Sequence, residues 1–355
     1  ARYFMHQALS TPCLNVLSGS EGSAFSDYEG RSYLDFHGNA AHQVGFRNPA
    51  VIDAIKAQLD TLPFSPRRYT NEPAIRLAKR LTELAPMEDA RILFAPGGAE
   101  VNSMALQYAR QATGRFKTIS FWEAFHGGTL DTISIGGEAM FRSGSGPLMP
   151  GAIHVPPPGV QASSWEESVA HIEYVMEHEG DIAAFIAEPI RCTNMYQPPA
   201  AYWQAIRDLC DRNGALLIFD EIPIGLGRSG YMFCCQYTGI APDILTLGKG
   251  LGGGVVPLAA MIARADLNVA GNRAIGHFTH EKNPVACAAG KAALDIIEKE
   301  SLVQRANEQG ARLRNGMERL VQKHDRAVTH QGLGLLVALE VDAGSSGQST
   351  SELTN

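Results

Sequence analysis

Lys249 stands between Gly248 and Gly250, directly after the apolar run DILTLG and before a further glycine-rich stretch. A lysine framed by glycines at the end of an apolar run serves solubility poorly. An amine desolvated in such a place favours its neutral form, which attacks carbonyls and forms imines. Two acids occupy comparable places: Glu188 closes IAAFIAE, and Asp220-Glu221 closes LLIFDE. A carboxylate at the end of an apolar strand is costly unless paired, so each is a helix cap, an ion-pair partner or part of a site. Gly97 and Gly98 follow RILFAP and precede a helical pattern. Glycines let a ligand approach the backbone there, and the helix start offers free N–H groups and a positive dipole end, which suits phosphate. An ordinary tight turn has the same composition. Phe125-His126, before two glycines, follow the run KTISFW, and an aromatic ring there can stack on a flat ligand.

Jointly, a phosphate cup, a stacking aromatic, an acid and an amine are what pyridoxal phosphate requires. The lysine holds the aldehyde as an imine, the acid keeps the pyridine nitrogen protonated, and the cup holds the phosphate. The order G-x-x-x-x-G-K-[ST] is absent, so Lys249 does not belong to a nucleotide-binding P-loop.

These residues need a scaffold. Apolar runs at 91–95, 117–122, 152–156, 182–188, 216–221, 243–248 and 257–263 alternate with helical patterns at 100–112, 164–178 and 199–213. Runs apolar on both faces suit strands covered by helices, which gives an α/β fold with a mostly parallel sheet. No helix fits between the last two runs, so one of them is expected to run antiparallel. Residues 21–36 read as a hairpin turning at Tyr28-Glu29-Gly30; 49–61, 72–85, 284–298 and 301–323 read as helices; 332–341 reads as one strand. The Ser/Gly-rich stretch around 142–147 reads as a loop, and the tail from Asp342 as polar and outside any core. The division expected is 1–60 as the N-terminal part of a small domain, 61–275 as the large domain, and 276–355 as interdomain helices and the start of a C-terminal small domain that reads as incomplete.

Composition narrows the function. The 355 residues include 30 Lys+Arg and 37 Asp+Glu, a net charge of −7 with no basic block, which disfavours nucleic acid. Hydrophobic residues make up 45%, enough for a large core, yet no run approaches the ~20 residues of a membrane span. The first residues lack a basic start followed by an apolar stretch, so no signal peptide is expected, and the location expected is cytoplasmic. The six cysteines, Cys13, Cys192, Cys210, Cys234, Cys235 and Cys287, lack the spacing of a disulfide framework or a zinc site. Free thiols and no metal are expected.

The segment LLIFDEIPIGLGRSGYMF…APDILTLGKGLGGGVVPLAA (216–260), with YEGRSYLDF (28–36), resembles the class III pyridoxal-phosphate-dependent aminotransferases, of fold type I. The resemblance runs from about residue 20 to about residue 341. It implies a large domain with a seven-stranded sheet between helices and a smaller α+β domain from both chain ends. It also implies roles. Lys249 would bind the cofactor and move the proton at the substrate carbon. Asp220 would pair with the pyridine nitrogen, with Glu188 near the substrate and that acid. Phe125, beside His126, and Ile222 would flank the ring; Gly98 and Ala99 would bind the phosphate. Thr279 would reach the phosphate of a partner subunit, which implies a homodimer with shared sites.

The sequence departs from the family in three places. The cup usually carries hydroxyl residues; here it is Gly97-Gly98-Ala99. Pro223 stands where a Gln often contacts the cofactor's ring oxygen. The family's segment beyond the last strand, with its carboxylate-binding arginine, lies outside this sequence.

Substrate candidates lie near the N-terminus. HGNAAHQ (37–43) offers His37, Asn39 and His42, and SPRRYTN (65–71) offers Arg67, Arg68 and Tyr69. Arginines at a site mouth suit a carboxylate, phosphate or phosphonate; on a surface loop they are simply solvated. His280 and Lys282 lie beside Thr279. Together these segments resemble a subgroup associated with an ammonia-lyase of 1-hydroxy-2-aminoethylphosphonate. The leading expectation is amino-group transfer from a small primary amine or amino acid to a keto acid. The alternative is the ammonia-lyase, followed by a racemase or aminomutase and by a non-catalytic protein of the same fold.

Overall fold

All seven apolar runs become strands of one sheet in the computed structural model, which describes residues 3–7, 15–159, 164–193 and 195–342. The chain enters through a small antiparallel sheet, β1 (Leu17–Glu21), β2 (Ala24–Asp27) and β3 (Ser32–Leu34). The expected hairpin is β2–β3. Its turn is tied by the Asp27 carboxylate, which accepts the backbone N–H groups of Glu29 and Arg31, each at 3.0 Å. β1, with the sequence LSGSE, is too polar and glycine-broken to read as a strand; pairing with β2 makes it one. Two helices follow, α1 (Pro49–Thr61) and α2 (Glu72–Leu84). Each starts with an asparagine cap, Asn48 or Asn71, and a proline in the first turn.

The large α/β unit runs β4 (Ala90–Ala95), α3 (Gly98–Thr113), β5 (Lys117–Phe121), α4 (Leu130–Ile135), α5 (Ala139–Arg142), β6 (Ala152–Val155), α6 (Trp165–Glu179), β7 (Ile182–Ala187), α7 (Ala200–Asn213), β8 (Leu216–Asp220), β9 (Ile244–Leu247) and β10 (Ala259–Arg264). The strand order is β4-β10-β9-β8-β7-β5-β6. Only β10 is reversed, antiparallel to both β4 and β9, because the Gly248–Leu258 link holds no crossover helix. Period-two alternation divides the core. Ala184, Ile186 and Ile218 pack with Val101, Met104 and Ala105 of α3; Phe185, Leu217 and Phe219 pack with Ile172 of α6 and Tyr202, Trp203 and Ile206 of α7.

The chain closes with α8 (Pro284–Lys299), α9 (Leu302–Lys323), β11 (Ala327–Leu333) and β12 (Leu336–Val341). The single strand expected over 332–341 is therefore a hairpin. Gly334, at φ +58°, makes the reversal, and β11 was hidden in a half-polar segment, AVTHQGL. The tail beyond Asp342 and Cys13 lie outside the described residues. Among the described residues no helix is long and apolar enough to cross a membrane, no group of His, Cys, Asp and Glu could hold a metal ion, and five cysteines are free.

Candidate active site

The carboxyl ends of β4, β5, β7, β8 and β9 bring the expected residues together, as open parallel sheets do. Gly97 caps α3 without a side-chain hydrogen bond, so Gly98 and Ala99 open the helix. Ile222 lies across them. A methyl group on Gly98 would come 3.0 Å from Ile222 Cδ1, and one on Gly248 would come 3.1 Å from Ile222 Cγ2. Gly127 packs just as closely on Ala99, where an added carbon would meet Cα at 2.7 Å. The cup, the aromatic loop, the segment after Asp220 and the lysine turn therefore form one assembly. Phe125 is half-buried, its ring 4.5 Å from that of Phe141.

Asp220 is buried, and its carboxylate is held by three donors. Oδ2 accepts Asn102 Nδ2 at 2.7 Å and faces His126 Nδ1 at 2.9 Å, and Oδ1 accepts the Ile222 N–H at 3.1 Å. Asn102 is fixed in turn: its amide also donates to the His126 carbonyl at 2.9 Å, and its oxygen accepts Thr246 Oγ1 at 2.8 Å. His126 is the expected residue whose role sharpens most, because it orients the acid directly. Asn102 and Thr246 were not anticipated. Their signal is a polar residue on the apolar face of α3 and another inside the buried strand β9.

Lys249 sits at φ +48°, in the left-handed region, between an extended Gly248 and Gly250. Its side chain is exposed, so the desolvation expected from sequence is not supplied by this chain's own packing. Its charge nevertheless reaches Glu188, which is 7% exposed and accepts the Cys192 N–H at 3.0 Å. Burial, reinforced by the negative charge of Asp220, pushes the Glu188 carboxyl up to about 7. Glu221, raised to about 7 by burial, points away and accepts the N–H groups of Cys234 and Cys235 at 2.5 and 2.6 Å. It caps a short turn and takes no part in the site.

The N-terminal candidates split. Residues 38–43 pack on the lysine turn: a methyl group on Gly250 would overlap the Gln43 amide, and one on Gly254 would press on Ala41 O at 3.0 Å. Asn39 adopts φ +50° there. His42 is occupied locally, stacked on Phe46 at 4.3 Å and 3.4 Å from Asp35 Oδ2. Gln43 was not anticipated, and its Oε1 is buried without a hydrogen-bond partner. Arg67, Arg68 and Tyr69 instead join the loop that carries Thr279. Lys282 Nζ donates to the Arg67 carbonyl at 2.9 Å, Asn71 Nδ2 donates to the Lys282 carbonyl at 3.0 Å, and Phe64 lies 5.5 Å from the His280 ring. Arg68, Tyr69 and Thr279 are exposed.

Residues 5–353 match the family model described as aminotransferase class-III. The chain is 43% identical over 360 residues to the (R)-1-hydroxy-2-aminoethylphosphonate ammonia-lyase of Vibrio splendidus, covering 95% of this chain and 75% of that protein. It is 35% identical over 339 residues to the acetylornithine aminotransferase of Caldanaerobacter subterraneus, covering 92% and 81%. Among solved structures, an aminotransferase of Bacillus anthracis superposes with a TM-score of 0.89 at 31% identity, covering 96% of this chain and 82% of that one. The taurine:2-oxoglutarate aminotransferase of Bifidobacterium kashiwanohense, in complex with PLP and glutamate, gives 0.89 at 29% identity, covering 96% and 80%. The chain belongs to the class III aminotransferase family.

Proposed function

We propose that this chain is a pyridoxal-phosphate-dependent ammonia-lyase acting on a small primary amine that carries a phosphonate or a similar oxyanion. One observation carries the choice of reaction: the ammonia-lyase of Vibrio splendidus is 43% identical over 95% of the chain, whereas the aminotransferases compared are 34% to 36% identical. The residues present suit the cofactor. The uncapped start of α3 is open to an anion, Asp220 is kept oriented by three donors, and Lys249 follows the end of β9.

When bound, pyridoxal phosphate supplies an electron sink for the pair left behind as the carbon next to nitrogen loses its proton. Lys249 anchors the cofactor and carries that proton. Asp220, fixed by Asn102 and His126, holds the proton on the ring nitrogen. Phe125 and Ile222 would hold the ring between them, and the N–H groups of Gly98 and Ala99 would take the phosphate. Glu188, protonated up to about pH 7, stands next to this charge network. Asn39, His42, Arg67, Arg68 and Tyr69 remain candidates for the substrate side.

Two copies would complete the site, Thr279 of one reaching the phosphate held by the other. The exposed Thr279, with Phe64 and Tyr69 exposed on the neighbouring loop, supports that assembly. The free thiols support a reducing, cytoplasmic setting. The division into 1–60, 61–275 and 276–355 is proposed with them.

Amino transfer to a keto acid is the second reading, favoured by the superposition on the aminotransferase complex with PLP and glutamate. The two separate in one assay. Holoenzyme mixed with a β-hydroxy amine and no keto acid should release ammonia and aldehyde over many turnovers, the hydroxyl leaving as water and the enamine then hydrolysing. Absence of ammonia, with at most one equivalent of aldehyde formed per site and aldehyde formation sustained only when 2-oxoglutarate takes up the nitrogen, would establish the second reading.

A further inference from the structure

Arg228 lies in the GLGRSG turn shortly after Asp220-Glu221. The turn is pinned from outside: the Arg228 carbonyl accepts the Leu335 N–H at 2.9 Å, and Gly334 sits so close that an added Cβ would come 2.6 Å from that carbonyl oxygen. The side chain is half-buried. Its Nε is buried without a hydrogen-bond partner, and among the described residues the side chain makes no ion pair. A guanidinium does not discard its charge, so leaving its buried Nε without a partner is costly.

The groups acting on Arg228 electrostatically are Cys192 and Asp35. Asp35 is already engaged: its Oδ1 accepts the N–H groups of His37 and Gly38, both at 2.9 Å, and its Oδ2 faces His42. Cys192 feels the charges of both Arg228 and Lys249, and its N–H binds Glu188. Cys192, which feels both charges, thus ties Arg228 to the surroundings of Lys249 and Glu188, and the 35–43 segment, which carries Asp35, packs on the lysine turn.

We infer that Arg228 binds the oxyanion of the substrate, phosphonate or carboxylate, while the amine end faces Lys249. A planar fork of N–H groups matches two oxygens of either anion, and a half-buried setting strengthens each bond. This reassigns the role expected of Arg67 and Arg68, whose loop is committed to the Asn71–Lys282 contact. The inference rests on the cofactor reading above.

The test uses holoenzyme reduced with borohydride, in which the phosphate cup is filled, and begins by mapping the pyridoxyl tag. Absence of the tag from Lys249 in the wild type overturns the cofactor reading and takes this inference with it. With the tag in place, methylphosphonate and acetate are titrated calorimetrically into wild type, Arg228→Lys, Arg228→Gln and Arg68→Gln. The anion that the wild type binds more tightly identifies the substrate's oxyanion. Arg228→Gln should weaken its binding by about 30-fold and Arg228→Lys by less, on the order of the loss of one or two charge-assisted bonds. In unreduced enzyme, KM for a β-hydroxy amine bearing that anion should rise by a similar factor, with turnover of 2-aminoethanol, which has the leaving hydroxyl but no anion, changed less than about threefold. Equal binding in wild type and Arg228→Gln, a loss found instead in Arg68→Gln, or collapse of the fold in both Arg228 variants would each overturn the inference.

Discussion

Asn102 donates to the Asp220 carboxylate at 2.7 Å, across 118 residues of sequence. Thr246 holds the far end of the same amide, so the acid is set by a chain running from α3 through to β9. Replacing Asn102 with Ala leaves Asp220 Oδ2 and Thr246 Oγ1 each short of a buried partner. A stability loss of about 2 kcal/mol is expected in urea unfolding, together with faster cofactor loss on dialysis. Cofactor retention equal to wild type would mean that His126 orients the acid alone.

Gly98 and Ile222 make a second test. A methyl group at Gly98 must displace Ile222 Cδ1, 3.0 Å away. Gly98→Ala should weaken pyridoxal phosphate binding about tenfold, and adding Ile222→Val, which removes that carbon, should recover most of it. Additive losses in the pair would show that the cup is disturbed through its backbone instead.

Glu188 predicts a pH dependence. Its carboxyl rises from an ordinary 4.5 to about 7, so the folded chain binds its proton more tightly than the unfolded chain does. The stabilisation is complete below 4.5 and is lost as pH rises through 7, a change of about 3 kcal/mol at full effect. Thermal melts of cofactor-free Glu188→Gln should lose less stability than wild type between pH 5 and pH 8. Parallel curves would place the titration elsewhere.

Lys249→Ala should abolish turnover while far-UV circular dichroism stays unchanged, because the side chain is exposed and holds up no part of the core. Residual turnover above about 1% of wild type would mean that another group moves the proton.

Much of this was legible in sequence because it follows local rules. Seven apolar runs announced seven strands, and the short link from Lys249 to Leu258 announced the reversed β10. The residues after each strand announced the site, since a parallel sheet puts them on one edge. What stayed hidden depends on distant contacts. Asn102 looked like one more polar residue in a helix until β8 and β9 were placed beside it. LSGSE is a strand only because β2 lies alongside, and β11 was obscured by polar residues that β12 pairs. Arg228 was visible in the GLGRSG turn, but its lack of an ion-pair partner among the described residues belongs to the packing. The exposure of Lys249 reverses an inference that treated glycine neighbours as a sign of burial.

The positive φ of Lys249 has a thermodynamic corollary. A side chain in that backbone region carries strain of the order of 1 kcal/mol that glycine would not. Lys249→Gly should therefore melt higher than Lys249→Ala, although both are inactive. The anchoring position is one where the most stable chain and the working chain differ, so selection for heat tolerance alone would drive the amine out.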